Sequence, residues 1–162
     1  QEGYGPGLDG EAFFQAWSRQ FTAASQASPA PLKEGAIALL DAVARLGLPL
    51  AIATSSDTAH ALEKLRQAGV LERFRAVIGA DQVQRPKPHP EVYLKAAECL
   101  GVDPRGCLAL EDSEYGVRAA HAAGMTVIQV PDLIQPTTDL RALGHIVLAS
   151  LTEVAGYPFA VE

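Results

Sequence analysis

Two adjacent carboxylates, Glu111 and Asp112, directly follow a short apolar run and precede a helix rich in small residues. Acidic side chains at the end of a buried strand are costly unless a positive charge neutralises them. Oxygen ligands of this kind suit a hard divalent cation, most often Mg²⁺. We therefore predict a magnesium site here, with Ser113 as a helix cap or as a residue that orients the ligands. The alternative is a solvated acidic turn that the helix dipole favours.

Hydroxyl groups and one lysine form two further clusters. Thr54, Ser55 and Ser56 end another apolar run, and hydroxyls beside helix N-terminal amides favour phosphate binding, although a cap is an equally good interpretation of Thr54. Lys87 stands between two prolines in Arg-Pro-Lys-Pro-His-Pro. A lysine on a stiff loop suits a phosphoryl oxygen, and the alternative is an exposed loop lysine. With a metal, the three clusters fit phosphoryl transfer, in which catalysis is mostly positioning and charge stabilisation.

Alternating helices and short apolar strands must position these clusters. The pattern predicts helices over 33–46, 58–68, 90–100, 114–123 and 137–143, and strands over 48–54, 76–80, 107–111, 126–130 and 145–149. Four of the helices stop at a glycine, and Asp57 and Pro90 are placed to begin two of them. This order predicts parallel βαβ units buried on both faces, an α/β fold. Ligands of such sheets bind beyond the carboxyl ends of the strands. Two of the clusters lie there, Thr54 to Ser56 after one strand and Glu111 with Asp112 after another.

From about residue 31 to residue 130 the chain resembles the haloacid dehalogenase-like (HAD) hydrolases. Thr54 matches the second motif of that family, Lys87 the third, and Glu111 with Asp112 the fourth. The form Glu-Asp-Ser-x-x-Gly-x-x-Ala-Ala-x-x-Ala-Gly is similar to the branch that holds β-phosphoglucomutase and sugar-phosphate phosphatases, whereas phosphoglycolate phosphatases more often have Gly-Asp-Ser-x-x-Asp.

The resemblance implies a Rossmann-like parallel sheet with helices on both faces and Mg²⁺ as cofactor. It implies that Thr54, Ser55 and Lys87 bind the phosphoryl group, and that Thr54 and Lys87 act in catalysis. Glu111 and Asp112 are expected to anchor magnesium, directly or through water.

One motif of the family is missing from the chain. Its nucleophile is the first aspartate of Asp-x-Asp-Gly-Thr, on a first strand that would lie between strands 48–54 and 107–111. The aspartates before Thr54 are Asp9 and Asp41, and neither ends an apolar strand. We expect roughly 60 further residues before Gln1 in the natural protein, a size estimate from the family. Residues 1–28, with a helical block over 9–27, are expected to be the end of an α-helical cap, and residues 29–162 the α/β core.

The implied activity is a magnesium-dependent phosphatase that hydrolyses a small phosphorylated metabolite, a sugar or polyol phosphate, through an aspartyl-phosphate. The nearest alternative is a phosphomutase of the β-phosphoglucomutase kind. That relative tends to carry a lysine where this chain has Asp57, whose charge would repel a second phosphate, so hydrolysis is favoured. A third alternative is a catalytically inactive fragment or scaffold. Dehalogenation is disfavoured because it needs no pair of metal-binding acids.

The composition of the chain narrows the classes of partner that it could bind. The formal net charge of -6 over 162 residues argues against nucleic acid and membrane surfaces, which attract basic patches. The sequence contains no apolar run long enough for a membrane span and no signal peptide. Cys99 and Cys107 have no metal-ligand spacing, which favours reduced thiols and a cytoplasmic location. The sequence leaves the oligomeric state open.

Overall fold

The computed structural model describes residues 31–157 and Ala16. The chain divides into two compact units, residues 1–31 and 32–162, and all the strands and helices named in this section belong to the second unit. The helical block predicted over 9–27 lies outside the described residues, apart from Ala16, which is helical.

The strands are short and parallel, as the alternating pattern predicted, and they form two sheets. One sheet has the order β1-β2 and the other the order β3-β4-β5. In the described residues β1 and β3 belong to different sheets, and an additional strand between them stays a prediction. Pairing extends past the ends of β1, since Thr54 N donates to Ile78 O at 2.9 Å. The strands are β1 (Ala51–Ala53), β2 (Ala76–Ile78), β3 (Leu108–Glu111), β4 (Thr126–Gln129) and β5 (Ile146–Val147).

Six α-helices occupy the described part of the chain, and the five predicted ones are confirmed with ends shifted by at most three residues. The sixth, which the sequence did not predict, is a five-residue helix capped by Ser150. The four glycines predicted to stop helices all have positive φ, from 68° at Gly47 to 80° at Gly124, a conformation that only glycine adopts at low cost. The helices are α1 (Ala36–Arg45), α2 (Thr58–Gln67), α3 (Glu91–Leu100), α4 (Glu114–Ala122), α5 (Thr138–Arg141) and α6 (Leu151–Ala155).

The start of α2 differs from the prediction. Asp57 takes the N-cap position, but its side chain accepts no capping hydrogen bond. The carboxylate of Asp81 caps the helix instead, accepting from Thr58 N at 2.7 Å and Thr58 Oγ1 at 2.8 Å. These hydrogen bonds hold the pKa of Asp81 below its usual value. Pro90 likewise takes the N-cap position of α3 rather than its first helical position.

Adjacent residues of β4 enter different parts of the core. Val127 packs in a cluster with the inner faces of α3 and α4, where Val117, Ala119 and Ala120 have no exposed surface. Ile128 packs with Leu39 of α1 and Val154 of α6. Since successive side chains of a strand point to opposite faces, helices cover both faces of this sheet, and the predicted α/β architecture is confirmed. No helix in residues 31–157 combines the length and apolar character that crossing a bilayer requires.

Candidate active site

The carboxyl ends of β1 and β3 open into one cavity of about 440 Å³. All six predicted site residues line it, because parallel strands bring their carboxyl ends to the same edge. Lys33, Leu110, Val130 and Leu151 also contribute to the lining and were not predicted. The predicted residues that the structure brings together are Thr54, Ser55, Lys87, Glu111, Asp112 and Ser113.

Lys87 connects the ends of the two sheets. Its ammonium donates to Ala53 O of β1 at 3.1 Å and to Glu111 Oε1 of β3 at 2.5 Å, and it lies 3.2 Å from Tyr93 Oη. Only 9% of the lysine side chain is exposed, so the alternative of an exposed loop lysine is wrong. An ammonium has three hydrogens, and each has an acceptor here.

Glu111 is saturated with hydrogen bonds. Oε1 accepts from Lys87 Nζ and from the Tyr93 hydroxyl, and Oε2 accepts from Ser113 Oγ at 3.1 Å and from the backbone amides of residues 112 and 113. Burial acts to raise the pKa of this carboxyl, but Lys87 and the hydrogen bonds from Tyr93 and Ser113 hold it below the usual range. Glu111 is therefore ionised at neutral pH and paired with Lys87.

Tyr93 is a site residue that the sequence did not predict. It is 6% exposed, its ring lies 4.7 Å from Lys87 Nζ, and its hydroxyl donates to Glu111. Burial, followed by the charge of Glu111, raises the pKa of the phenol above its usual range, so the hydroxyl remains a donor. The position of Tyr93 within α3 is typical of an apolar core residue, and nothing in the sequence indicates its polar contact with Glu111.

The hydroxyls of Thr54 and Ser113 accept local hydrogen bonds as well as lining the cavity. Thr54 Oγ1 accepts from Ser56 N at 3.1 Å, and Ser113 Oγ accepts from Gly116 N at 3.1 Å at the start of α4. The cap interpretation is thus confirmed for Ser113, whereas the Thr54 bond closes a local turn before α2 and caps no helix. A hydroxyl that accepts one hydrogen bond still has its own hydrogen to donate, so Thr54 keeps a donor for a ligand in the cavity.

A buried polar chain behind the site was also not predicted. Gln129, 1% exposed, donates from Nε2 to Asp112 O at 3.2 Å, and its Oε1 lies 2.8 Å from His145 Nε2. His145 is half-buried and directly precedes β5. Burial, with the nearby charges of Arg141 and His121, lowers the pKa of His145. The neutral ring supports Gln129, which in turn fixes the main chain at Asp112.

The acidic pair fits a metal ion in part. The Asp112 side chain is exposed and has no hydrogen-bond or ion-pair partner within residues 31–157. Its oxygens are therefore available to a cation, whereas those of Glu111 are committed to five donors. No group of three or more acidic, histidine or cysteine side chains is arranged to hold a metal within that range. Mg²⁺ commonly takes one or two carboxylates and completes its shell with water and phosphate oxygens.

Comparison with known proteins agrees with this site. The family model described as a haloacid dehalogenase-like hydrolase matches residues 1–124. YhcW of Bacillus subtilis (strain 168), named as a putative phosphatase, is 38% identical over 145 residues, which are 90% of this chain and 65% of that protein. The fructose-1-phosphate phosphatase YqaB of Escherichia coli (strain K12) is 40% identical over 82 residues, 51% of this chain and 44% of that protein.

A crystal structure of mutant CbbY from Rhodobacter sphaeroides in complex with xylulose-(1,5)bisphosphate superposes with a TM-score of 0.77 at 29% identity, covering 94% of this chain and 69% of that one. The chain spans less than two thirds of the length of YhcW and of YqaB. The family match takes in all six predicted site residues, and these residues line the cavity. The chain belongs to the haloacid dehalogenase-like hydrolases.

Proposed function

We propose that the complete protein is a magnesium-dependent phosphatase that acts on a small phosphorylated metabolite, a sugar or polyol phosphate. The observation that carries this proposal is the convergence of hydroxyls, an ammonium and an available carboxylate on one cavity. Relatives named for fructose 1-phosphate and hexitol phosphates, and a neighbour crystallised with a sugar bisphosphate, support the substrate class.

Each residue has a distinct role in this proposal. Asp112 would supply a direct oxygen ligand to Mg²⁺, whereas Glu111, whose oxygens are committed to five donors, holds Lys87 in place. Thr54 and Ser55 donate hydrogen bonds to phosphoryl oxygens, and Lys87 places a positive charge beside them. When bound, magnesium supplies positive charge that offsets the negative charge of the phosphoryl group.

The covalent step belongs, by the family resemblance, to an aspartate N-terminal to this chain. Its carboxylate oxygen forms a bond to phosphorus while the bond from phosphorus to the ester oxygen breaks, and the leaving alkoxide takes a proton from a general acid. Water then attacks the aspartyl-phosphate and releases inorganic phosphate and the free aspartate. Residues of the present chain hold the phosphoryl group during both steps.

The test is phosphate release by the full-length protein from fructose 1-phosphate, a hexitol phosphate and β-glucose 1-phosphate, with Mg²⁺ and with EDTA. We expect release of inorganic phosphate that EDTA abolishes. Asp112→Ala should lower kcat by at least about 100-fold, because the metal loses its direct ligand. The exposed Asp139→Ala, at the start of α5, is the matched control and should leave kcat unchanged.

Two results would contradict the proposal. Full activity of Asp112→Ala would remove the metal role of this residue. Conversion of β-glucose 1-phosphate to glucose 6-phosphate without phosphate release would show a mutase.

A further inference from the structure

Gly116 lies one turn into α4, is buried, and faces the Glu111 carboxylate. A Cβ atom at this position would lie 1.9 Å from Glu111 Cδ and Oε2 and 2.2 Å from Oε1, far below any real non-bonded approach. The carboxylate therefore occupies the volume in which a side chain at position 116 would begin.

The backbone does not explain this glycine. Its φ is not in the left-handed region, unlike that of the glycines that end helices. Within a helix, glycine is less favourable than alanine by about 1 kcal/mol. Position 116 thus carries a residue that the helix disfavours and the dihedral angles do not require, and the remaining reason is space for Glu111.

A Glu111 side chain could swing away from an added methyl group only by leaving its hydrogen bonds. Its carboxylate is 7% exposed and accepts from Lys87, Tyr93 and Ser113, besides two backbone amides. Those contacts also fix Lys87, whose ammonium is bound to Glu111 at 2.5 Å. Moving the carboxylate would therefore free the lysine from its place beside the cavity.

We infer that Gly116 is a positioning residue. Because position 116 has no side chain, it leaves a space, here called the seat, which the Glu111 carboxylate occupies. Through Glu111 this space sets the position of Lys87. The seat itself follows from the geometry alone, whereas its effect on turnover rests on the proposed function. A test of stability and a test of activity therefore fail independently.

The stability test is a double-mutant cycle in the full-length protein, with melting temperatures measured in EDTA for wild type, G116A, E111A and E111A/G116A. In the presence of Glu111, G116A should lower Tm by about 5 °C, because the carboxylate loses charge-assisted hydrogen bonds. In the E111A background the same change should leave Tm unchanged or raise it by about 2 °C, because alanine favours the helix. The control Gly106→Ala, where an added Cβ meets no atom within 4 Å, should not shift Tm in either background.

Equal shifts of Tm by G116A in the two backgrounds would overturn the inference, since the glycine would then act independently of Glu111. If E111A is too unstable because Lys87 loses its counter-ion, the same comparison is made in a K87M/E111A background. That background removes both charges and still tests whether a methyl group at position 116 is tolerated when the Glu111 carboxylate is absent.

The activity test measures kcat and KM of G116A with saturating Mg²⁺. If the protein is a phosphatase, kcat should fall about 10-fold, the usual scale for residues that orient ligands of a site, with a smaller change in KM. Unchanged kcat together with a coupled Tm would show a seat that matters for stability only and would overturn the positioning role. An inactive wild type would refute the proposed function. The double-mutant cycle of melting temperatures would then still test whether Gly116 makes room for Glu111.

Discussion

Replacing Tyr93 with phenylalanine removes one hydroxyl from the buried cluster and leaves the ring in place. The ring keeps its packing in the core formed by α3, α4 and the sheets and its position 4.7 Å from Lys87 Nζ. What is lost is the hydrogen bond from the phenol to the ionised Glu111 and the acceptor that the phenol oxygen offers to Lys87 Nζ at 3.2 Å. A hydrogen bond to a charged group contributes about 1.5–3 kcal/mol, and the acceptor is buried, so we expect a loss of about 2 kcal/mol in the free energy of unfolding.

For a domain of this size 1 kcal/mol corresponds to roughly 2–4 °C in Tm, so Tyr93→Phe should melt about 6 °C below wild type. The assay is thermal unfolding at pH 7 in EDTA, followed by circular dichroism and checked by urea titration. Tyr115→Phe is the matched control, because the same hydroxyl is lost from a tyrosine that is 65% exposed. Its Tm should stay within about 1 °C of wild type.

A Tm of Tyr93→Phe within about 1 °C of wild type would refute this reasoning. It would mean that the phenol is replaceable by water or by a second donor, and that Glu111 needs no more than Lys87 and the amides at the start of α4. A loss well above about 4 kcal/mol would also contradict it, because that size belongs to lost packing rather than to one hydroxyl.

Two further predictions concern the same surroundings. Burial opposes ionisation of Glu111, yet Lys87 and Tyr93 hold the pKa of its carboxyl below the ordinary 4.5. The ion pair therefore contributes its full stability to the folded protein above that pH, and this contribution is lost as the pH falls through the lower pKa of the folded state. The Tm difference between wild type and Glu111→Gln in EDTA should therefore be constant from pH 7 to about pH 5 and shrink toward about pH 3; a difference that persists at the acid end would contradict the pairing. Gln129→Leu should lower the free energy of unfolding by about 3 kcal/mol, because Asp112 O and His145 lose a buried partner, whereas the exposed Gln84→Leu should change it by less than about 0.5 kcal/mol. Equal urea midpoints for the two variants would show that the hydrogen bonds of Gln129 do not contribute to the free energy of unfolding.

The site was largely predictable from sequence because its chemistry stands at strand ends. Thr54, Glu111 and Asp112 are polar residues at places where the apolar pattern stops, and parallel topology alone brings such places together. Lys87 was signalled instead by its proline-framed loop. The C-terminal ends of four helices were predictable for a similar reason, since the glycine that follows each of them is a local signal.

Contacts made by core-like residues were not predictable. Tyr93 lies on the buried face of α3, and only the three-dimensional structure shows that its hydroxyl meets Glu111 at the end of β3. The cap of α2 is another such case, because Asp81 lies 23 residues from the amide that it caps while Asp57 stands at the conventional position. Sequence reasoning finds groups that signal through local pattern and misses those whose partner is distant along the chain.

The charged groups around the cavity indicate that Glu111 and Asp112, the two acids at the end of β3, have different roles. Lys87 is paired with Glu111, and Lys33 is paired with Asp132 at 2.6 Å, so each ammonium of the lining already has a counter-ion. Asp112 has none within residues 31–157. A phosphate monoester carries close to two negative charges at neutral pH, and at an effective dielectric constant of about 20 one unit charge about 4 Å away repels another by about 4 kcal/mol. Phosphate therefore cannot approach Asp112 favourably until a divalent cation lies between them. Loss of Asp112 should accordingly abolish metal binding and also remove the repulsion, so that any remaining phosphate binding no longer depends on Mg²⁺. Loss of Glu111 should release Lys87 and leave Asp112, the proposed metal ligand, in place.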